Sequence, residues 1–297
     1  NLYTCAADGS DVQALTSHDD FAVRHPSADG ETVVYSVGGA LWSVRAGHEP
    51  APVPLQLRSQ RPRLQTRFPS ASGFLESAEA HPEGHSLVVI PRGRPFVGAH
   101  WEGPMVQLGE RQGVRYRLAT WLDADRLVWV SDATGEDRLE VHDRTTHTTQ
   151  PVDAAFSGRP IALHAHGERV AVVTHDSRIV IVDLEGSTAT ELTKGPYYPP
   201  AGVTWSPDGR WLAWSEQLSS NTARIRLADL DALTDEGFPI VDVTDGRYFD
   251  VRPDFDPLGR YLYFIGYREF APVRDRNFFG YSFPKGARPY LVPLQRG

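Results

Sequence analysis

Short apolar runs bounded by turn residues recur along the whole chain, and no window keeps a 3.6-residue apolar period for three turns. The chain therefore reads as strands. Leu127 to Val130, Val170 to Val173 and Tyr261 to Ile265 are nearly continuous apolar stretches, not alternations of apolar and polar residues. A strand wet on one face alternates, so these stretches predict sheets covered on both faces.

The repeating unit is clearest at Trp205-Ser206-Pro207-Asp208-Gly209-Arg210-Trp211-Leu212-Ala213-Trp214-Ser215. It predicts a strand, a tight turn and a second strand. Pro207 presets φ for the second turn position, Asp208 can accept from the backbone ahead, and Gly209 supplies the positive φ that closes the turn. Weaker copies stand at His25–Ser36, His81–Ile90, Trp121–Val130, His164–Val173 and Phe255–Phe264. Their turn-closing residues Gly30, Gly84, Asp125, Gly167, Gly209 and Gly259 are spaced by 54, 41, 42, 42 and 50 residues.

A third strand follows each copy, as at Ala40–Val44, Arg138–His142, Arg178–Asp183 and Arg224–Asp229, and a more polar fourth closes the unit, as at Ala189–Thr193. Four strands in about 42 residues is one blade of a β-propeller. The expected fold is an all-β propeller of seven four-stranded blades, with six as the alternative. Residues 1–16 would be the outer strands of a truncated first blade. Residues 17–57, 74–113, 114–158, 159–198, 199–247 and 248–297 would be successive blades, with 58–73 an Arg/Pro-rich connector. The chain begins with Asn1 inside a strand-like segment, which suggests a fragment of a longer polypeptide.

Charge narrows the partners. Acidic residues outnumber basic ones 38 to 30, giving −8, and no basic cluster carries aromatic residues spaced to stack bases, so nucleic acid is not an expected partner. No apolar run approaches the twenty or so residues that span a bilayer, so no membrane partner is expected either. The single cysteine, Cys5, cannot form an internal disulfide, which favours a reducing, cytoplasmic setting.

Catalytic motifs are missing. There is no G-x-S-x-G elbow, and Ser206 is accounted for by its turn. His164 and His166 share a strand face and could meet one metal ion, but next to a turn a packing role is the better reading. Asp254 and Asp256 form a similar pair, read as turn caps in preference to calcium ligands. No metal or other cofactor is expected. More informative are the charges at the starts of the first strands: Arg24, Glu76, Arg117, Arg159, Asp250 and Arg252. In a propeller the first strands surround the central channel, so these residues are candidates to line its mouth and sort solutes by charge. The plainer alternative is a solvated rim.

Three stretches carry a family resemblance: Phe74-Leu75-Glu76-Ser77-Ala78-Glu79-Ala80-His81-Pro82-Glu83-Gly84-His85-Ser86-Leu87; Trp101-Glu102-Gly103-Pro104 leading to Arg111-Gln112-Gly113-Val114-Arg115-Tyr116-Arg117; and Asn277-Phe278-Phe279-Gly280-Tyr281-Ser282-Phe283-Pro284-Lys285-Gly286. Together with the S-P-D-G turns they resemble the second, seven-bladed propeller of the tricorn protease family. The resemblance implies a domain of a large self-compartmentalising serine peptidase with two propellers, a PDZ domain and a split catalytic core, assembled as hexamers. In such an enzyme this propeller admits peptide substrates, and the catalytic Ser and His lie in other domains; no position here matches them. The alternative from another class is a stand-alone TolB-like propeller that binds a protein partner.

Overall fold

The computed structural model describes the chain except for residues 57, 59–69, 111, 275–279 and 295–297. Most of the connector expected at 58–73 therefore lies outside the described residues, as do Arg111, Asn277, Phe278 and Phe279 of the family-like stretches. The chain divides into two compact units, Asn1–Phe68 and Pro69–Gly297. Among the described residues no helix is long and apolar enough to cross a membrane.

In the N-terminal unit, β1 (Tyr3–Thr4) and β2 (Gln13–Ala14) form a two-stranded antiparallel sheet. A four-stranded meander follows, of β3 (Arg24–Asp29), β4 (Thr32–Val37), β5 (Ala40–Arg45) and β6 (Ala51–Pro52). Tyr35, Val37 and Val44 are its buried core, with Leu2, Leu15, Val23, Val33 and Trp42 packed around them.

The C-terminal unit repeats the meander. Its sheets are β7 (Leu75–Ala80), β8 (Ser86–Pro91), β9 (Phe96–Ala99) and β10 (Val106–Gln107); then β11 (Tyr116–Trp121), β12 (Arg126–Ser131), β13 (Arg138–Asp143) and β14 (Thr148–Pro151). Next come β15 (Pro160–His166), β16 (Arg169–Thr174), β17 (Arg178–Asp183) and β18 (Thr188–Lys194), followed by β19 (Ala201–Trp205), β20 (Trp211–Gln217), β21 (Ala223–Asp229) and β22 (Ile240–Asp242). The last sheet pairs β23 (Phe249–Phe255), β24 (Tyr261–Tyr267) and β27 (Ala287–Pro293); a separate hairpin of β25 (Val273–Arg274) and β26 (Tyr281–Ser282) intervenes. A single parallel bridge, Ala223 to Phe249, links β21 to β23.

The turns form as their composition dictates. Gly209 N–H donates to the Ser206 carbonyl at 2.8 Å with φ +70°, Arg210 N–H donates to Asp208 Oδ1 at 3.1 Å, and Trp211 N–H donates to Ser206 Oγ at 2.8 Å. The same closure recurs from Gly84 to His81 and from Gly259 to Asp256.

Successive sheets share cores. Leu127 and Trp129 of β12 pack with Val88 and Ile90 of the sheet before, whereas Val128 and Val130 pack with Val170 and Val172 of the sheet after. Ala171 and Val173 in turn meet Leu212 and Trp214, and Ala213 meets Leu262 and Phe264. Since side chains alternate across a strand, one continuous apolar run serves two interfaces. Each buried Val or Leu contributes roughly 1.5–3 kcal/mol. The expectation of two covered faces holds for Leu127–Val130 and Val170–Val173. It fails for Tyr261–Ile265, where Leu262 and Phe264 are buried but Tyr263, on the face of β24 turned away from the core shared with Ala213, is 40 % exposed.

Polar staples cross the same seams at the repeat distance. Trp205 Nε1 donates to the His164 carbonyl at 2.9 Å, 41 residues away, and Thr120 Oγ1 donates to Glu79 Oε1 at 2.8 Å, also 41 residues away. His81 Nε2 bonds the Ala124 carbonyl at 2.8 Å across 43 residues. The period of the sequence is thus the separation of spatial neighbours. His166 continues the theme: it stacks on Trp205 and lies so close to Gly209 that a Cβ there would meet its ring at 2.4 Å.

Two outcomes are expected. Trp205→Phe removes the indole donor that ties β19 to the His164 carbonyl of the sheet before, so urea unfolding should report a loss of about 1 kcal/mol. Glu79 also accepts from Trp121 N–H, and burial raises its pKa above the ordinary 4.5 against the pull of the Thr120 and Trp121 donors. A raised folded-state pKa means that stability falls as pH climbs through 4.5 towards the folded value. Glu79→Gln, which keeps an acceptor oxygen, should therefore raise the urea midpoint at pH 7 and match the parent chain near about pH 4.

Candidate functional site

The first strand of every four-stranded meander, and of the last sheet, breaks register near its start. In β3, β11, β19 and β23 the break falls at Arg24/Ser27, Arg117/Thr120, Ala201/Thr204 and Val251/Asp254. The residue that turns the chain there has positive φ each time: His25 +53°, Leu118 +56°, Gly202 +60° and Arg252 +54°. Shorter breaks occur at Leu75/Ser77 in β7 and Pro160/Ala162 in β15. Such bulges bend a strand and re-aim its side chains. The charges picked out in the sequence lie on or beside these bulges.

Three of them converge. Glu76, Arg117 and Arg159, from three successive sheets, line one recess of about 430 Å³ together with Arg115, Leu118, Ile161 and His175. Arg115 pairs with Glu76 at 3.0 Å. Arg117 Nη2 and Arg159 Nε both donate to Asp137 Oδ2, at 2.6 and 3.1 Å. Arg117 also reaches the Pro160 carbonyl at 3.3 Å, and its side chain is only 14 % exposed; that of Arg159 is 58 % exposed. Arg159 N–H donates to His175 Nδ1 at 3.0 Å, which puts the neutral ring's proton on Nε2 as a further donor. Asp176, next to His175, is held below the ordinary carboxylate pKa by the Thr174 hydroxyl and by Arg178. Two carboxylates, Glu76 and Asp137, thus serve three guanidiniums over an apolar floor of Leu118 and Ile161. That arrangement can receive an anionic group beside an apolar one.

The family described as the tricorn protease second beta propeller domain matches residues 75–297, three quarters of the chain. The chain belongs to that family. Among relatives of this tricorn propeller, Tricorn protease homolog 1 of Streptomyces coelicolor is 34 % identical over 99 % of the chain and 28 % of its own length. Tricorn protease of Thermoplasma volcanium is 26 % identical over 100 % of the chain and 29 % of its own length. The chain thus spans somewhat over a quarter of these relatives. A solved crystal structure of the tricorn protease superposes on 98 % of the chain with a TM-score of 0.68 at 21 % identity, which shows the propeller fold.

The other sequence-predicted residues of the tricorn propeller lie apart from the recess. Arg24 belongs to the N-terminal unit, exposed at the start of β3, where its carbonyl accepts from Ser36 Oγ at 3.1 Å. Asp250 has no accessible surface; Arg268 holds its carboxylate at 3.0 and 2.7 Å and is itself packed over Tyr248, Phe264 and Tyr290. Arg252 is exposed at its bulge, its backbone against Gly202, where a Cβ would meet Arg252 Cα at 3.0 Å.

Among the described residues, neither the His164/His166 pair nor the Asp254/Asp256 pair gathers a third ligand. His166 packs on Trp205, and burial lowers the pKa of both His164 and His166. Asp254 accepts from Thr204 Oγ1, while Asp256 accepts from Arg260 N–H in its own turn. The grouping His81, Glu83 and His85 does bring three potential ligands within 4.8 Å. His81, however, uses both ring nitrogens, accepting from Glu83 N–H at 3.0 Å and bonding Ala124, so it serves the turn and not an ion.

Sequence reading missed Asp137, Arg115 and His175. A signal existed: in an antiparallel meander the loop between the second and third strands returns to the end where the first strand starts. An acidic residue in such a loop, as Asp137 is, is therefore a natural partner for first-strand arginines. Asp137→Ala leaves the largely enclosed Arg117 without its carboxylate and should cost about 2 kcal/mol in urea unfolding. Arg159→Ala, at an exposed partner of the same oxygen, should change stability by less than about 0.5 kcal/mol.

Proposed function

We propose that this chain is the non-catalytic, peptide-admitting propeller of a larger tricorn-like serine peptidase, with the PDZ and catalytic domains on the rest of the parent polypeptide. The parent is taken to be hexameric, as the family resemblance implies, and cytoplasmic, in keeping with the single cysteine. The observation that carries the proposal is the arginine-rich recess at the bulged ends of three first strands, since first strands line the channel of a propeller. Its excess of guanidinium donors favours peptides that present carboxylates as they approach. The selection is electrostatic, so it weakens as salt rises past the Debye regime.

The test uses the full-length parent. Arg159→Glu should lower kcat/KM for acidic peptides by about fivefold relative to neutral ones at low salt, with the contrast shrinking in high salt. An equal effect on acidic, neutral and basic peptides would sink the charge-sorting role. The purified 297-residue chain should hydrolyse no peptide, and measurable hydrolysis that survives repurification would overturn the non-catalytic assignment.

A further inference from the structure

The turn end of the C-terminal unit repeats one packing device at two seams, fills the seam between them with Leu122, and leaves a cavity at the next. His81, the first turn residue of the β7–β10 sheet, sits on the next sheet's turn, its Nε2 bonded to the Ala124 carbonyl and its ring edge-on to Trp121 at 4.5 Å. His166 of the β15–β18 sheet repeats this, resting on the turn at Gly209 and stacked on Trp205. At the seam between the β19–β22 sheet and the β23 sheet the corresponding residues are Ser206 and Phe255.

Ser206 does not reach across. Its hydroxyl turns back to Asp208 and accepts from Trp211 N–H. Where His166 crowds Gly209, the equivalent Gly259 has nothing nearer to a Cβ than Pro207 Cδ at 3.9 Å. The result is a cavity of about 540 Å³ lined by Ser206, Asp208, Trp211, Phe255, Leu258 and Leu294 among others. Asp208 Oδ1 takes Ser206 Oγ and Arg210 N–H, while among the described residues Oδ2 accepts no hydrogen bond. The Leu258 carbonyl, which corresponds to the Ala124 carbonyl that receives His81, likewise accepts none among the described residues.

We propose that this cavity is a binding site for an imidazole ring supplied from outside the chain, as a free imidazole compound or as the histidine side chain of a peptide. The two sister seams show what fits: a flat five-membered ring against an aromatic wall, which at the His81 seam also directs a ring nitrogen to the turn carbonyl. Asp208 at the rim adds charge complementarity, since an N–H-bearing, protonatable ring meets an ionised carboxylate held below the usual range by the Ser206 hydroxyl. Apolar rings of the same size lack a partner for either oxygen.

The 297-residue chain is titrated with 4-methylimidazole and with N-acetylhistidine methylamide, following the Trp211 indole and Gly259 amide resonances. A ligand of about six heavy atoms predicts saturation in the millimolar range. Saturation by both probes identifies a site open to side chains, and saturation by 4-methylimidazole alone restricts it to small molecules. 4-Methylthiazole, the same shape without an N–H, should bind about fivefold more weakly. Ser206→His should fill the cavity from within and weaken 4-methylimidazole at least about tenfold. Leu258→Arg, on an exposed side chain whose change leaves the core intact, should weaken it about fivefold by charge repulsion. The inference is overturned if neither probe shifts these resonances up to about 50 mM, if thiazole binds as well as imidazole, or if binding survives both substitutions unchanged.

Discussion

The packing of one sheet against the next is the constraint on which the C-terminal unit depends. A four-stranded meander has two faces and too little sequence to cover either, so each strand must supply apolar residues to both neighbours. β12 shows the consequence: Leu127 and Trp129 serve the seam on one side, Val128 and Val130 the seam on the other, and none of these four is left for solvent. Once that division is imposed, the rest follows. The turn between first and second strands must be tight because the second strand is buried from its second residue, as at Leu127, Val170, Leu212 and Leu262, and the residues that cross a seam must recur at the length of the repeat.

The two ends of the unit then diverge. At the turn end, backbone closure and His–Trp contacts knit neighbouring sheets together. At the other end every first strand starts with a bulge, and two of these place a side-chain-bearing residue at positive φ, Leu118 and Arg252, as His25 does in the N-terminal unit. Each such residue costs about 1 kcal/mol relative to glycine, so the surrounding structure must hold the conformation in place. Only at Gly202 is glycine present, and there contact adds to the reason: a Cβ would stand 3.0 Å from the Arg252 Cα. The bulges re-aim charged side chains out of the sheet, and the arginine recess is built from the residues they re-aim.

Much of this was legible in the sequence. The turn chemistry at Ser206–Gly209 and the continuous apolar run at Leu127–Val130 announced a repeated, doubly covered meander, and their spacing measured it. Tyr261–Ile265 misled because residue type records which side chains can be buried, whereas burial depends on whether a further sheet stands opposite. Among the candidate charges, composition separated none from another. Glu76, Arg117 and Arg159 meet because the bulges of three adjacent sheets aim at one place, while Asp250, similar on paper, is enclosed with Arg268 under a layer of aromatic rings. Pairing partners such as Asp137 come from a loop about twenty residues away, and only the meander topology brings them back.

A repeat of this kind separates framework from specialisation. Seams between sheets need apolar volume and satisfied backbone groups, and different residues can supply both. His81 with Trp121 does so at one seam and His166 with Trp205 at another; Leu122 does so by apolar packing at the seam between them. Because each seam is closed locally, one seam can depart from the pattern without loss to the others, in keeping with the nearest-neighbour energetics of stacked repeats. Ser206 and Phe255 are such a departure: the turn hydrogen bonds are kept, the core beneath is kept, and only the ring that should lie between is missing. In a chain whose repeats otherwise enforce likeness, the informative positions are those where a conserved geometry is left with an unconserved filling, because there the fold has already been secured by other contacts.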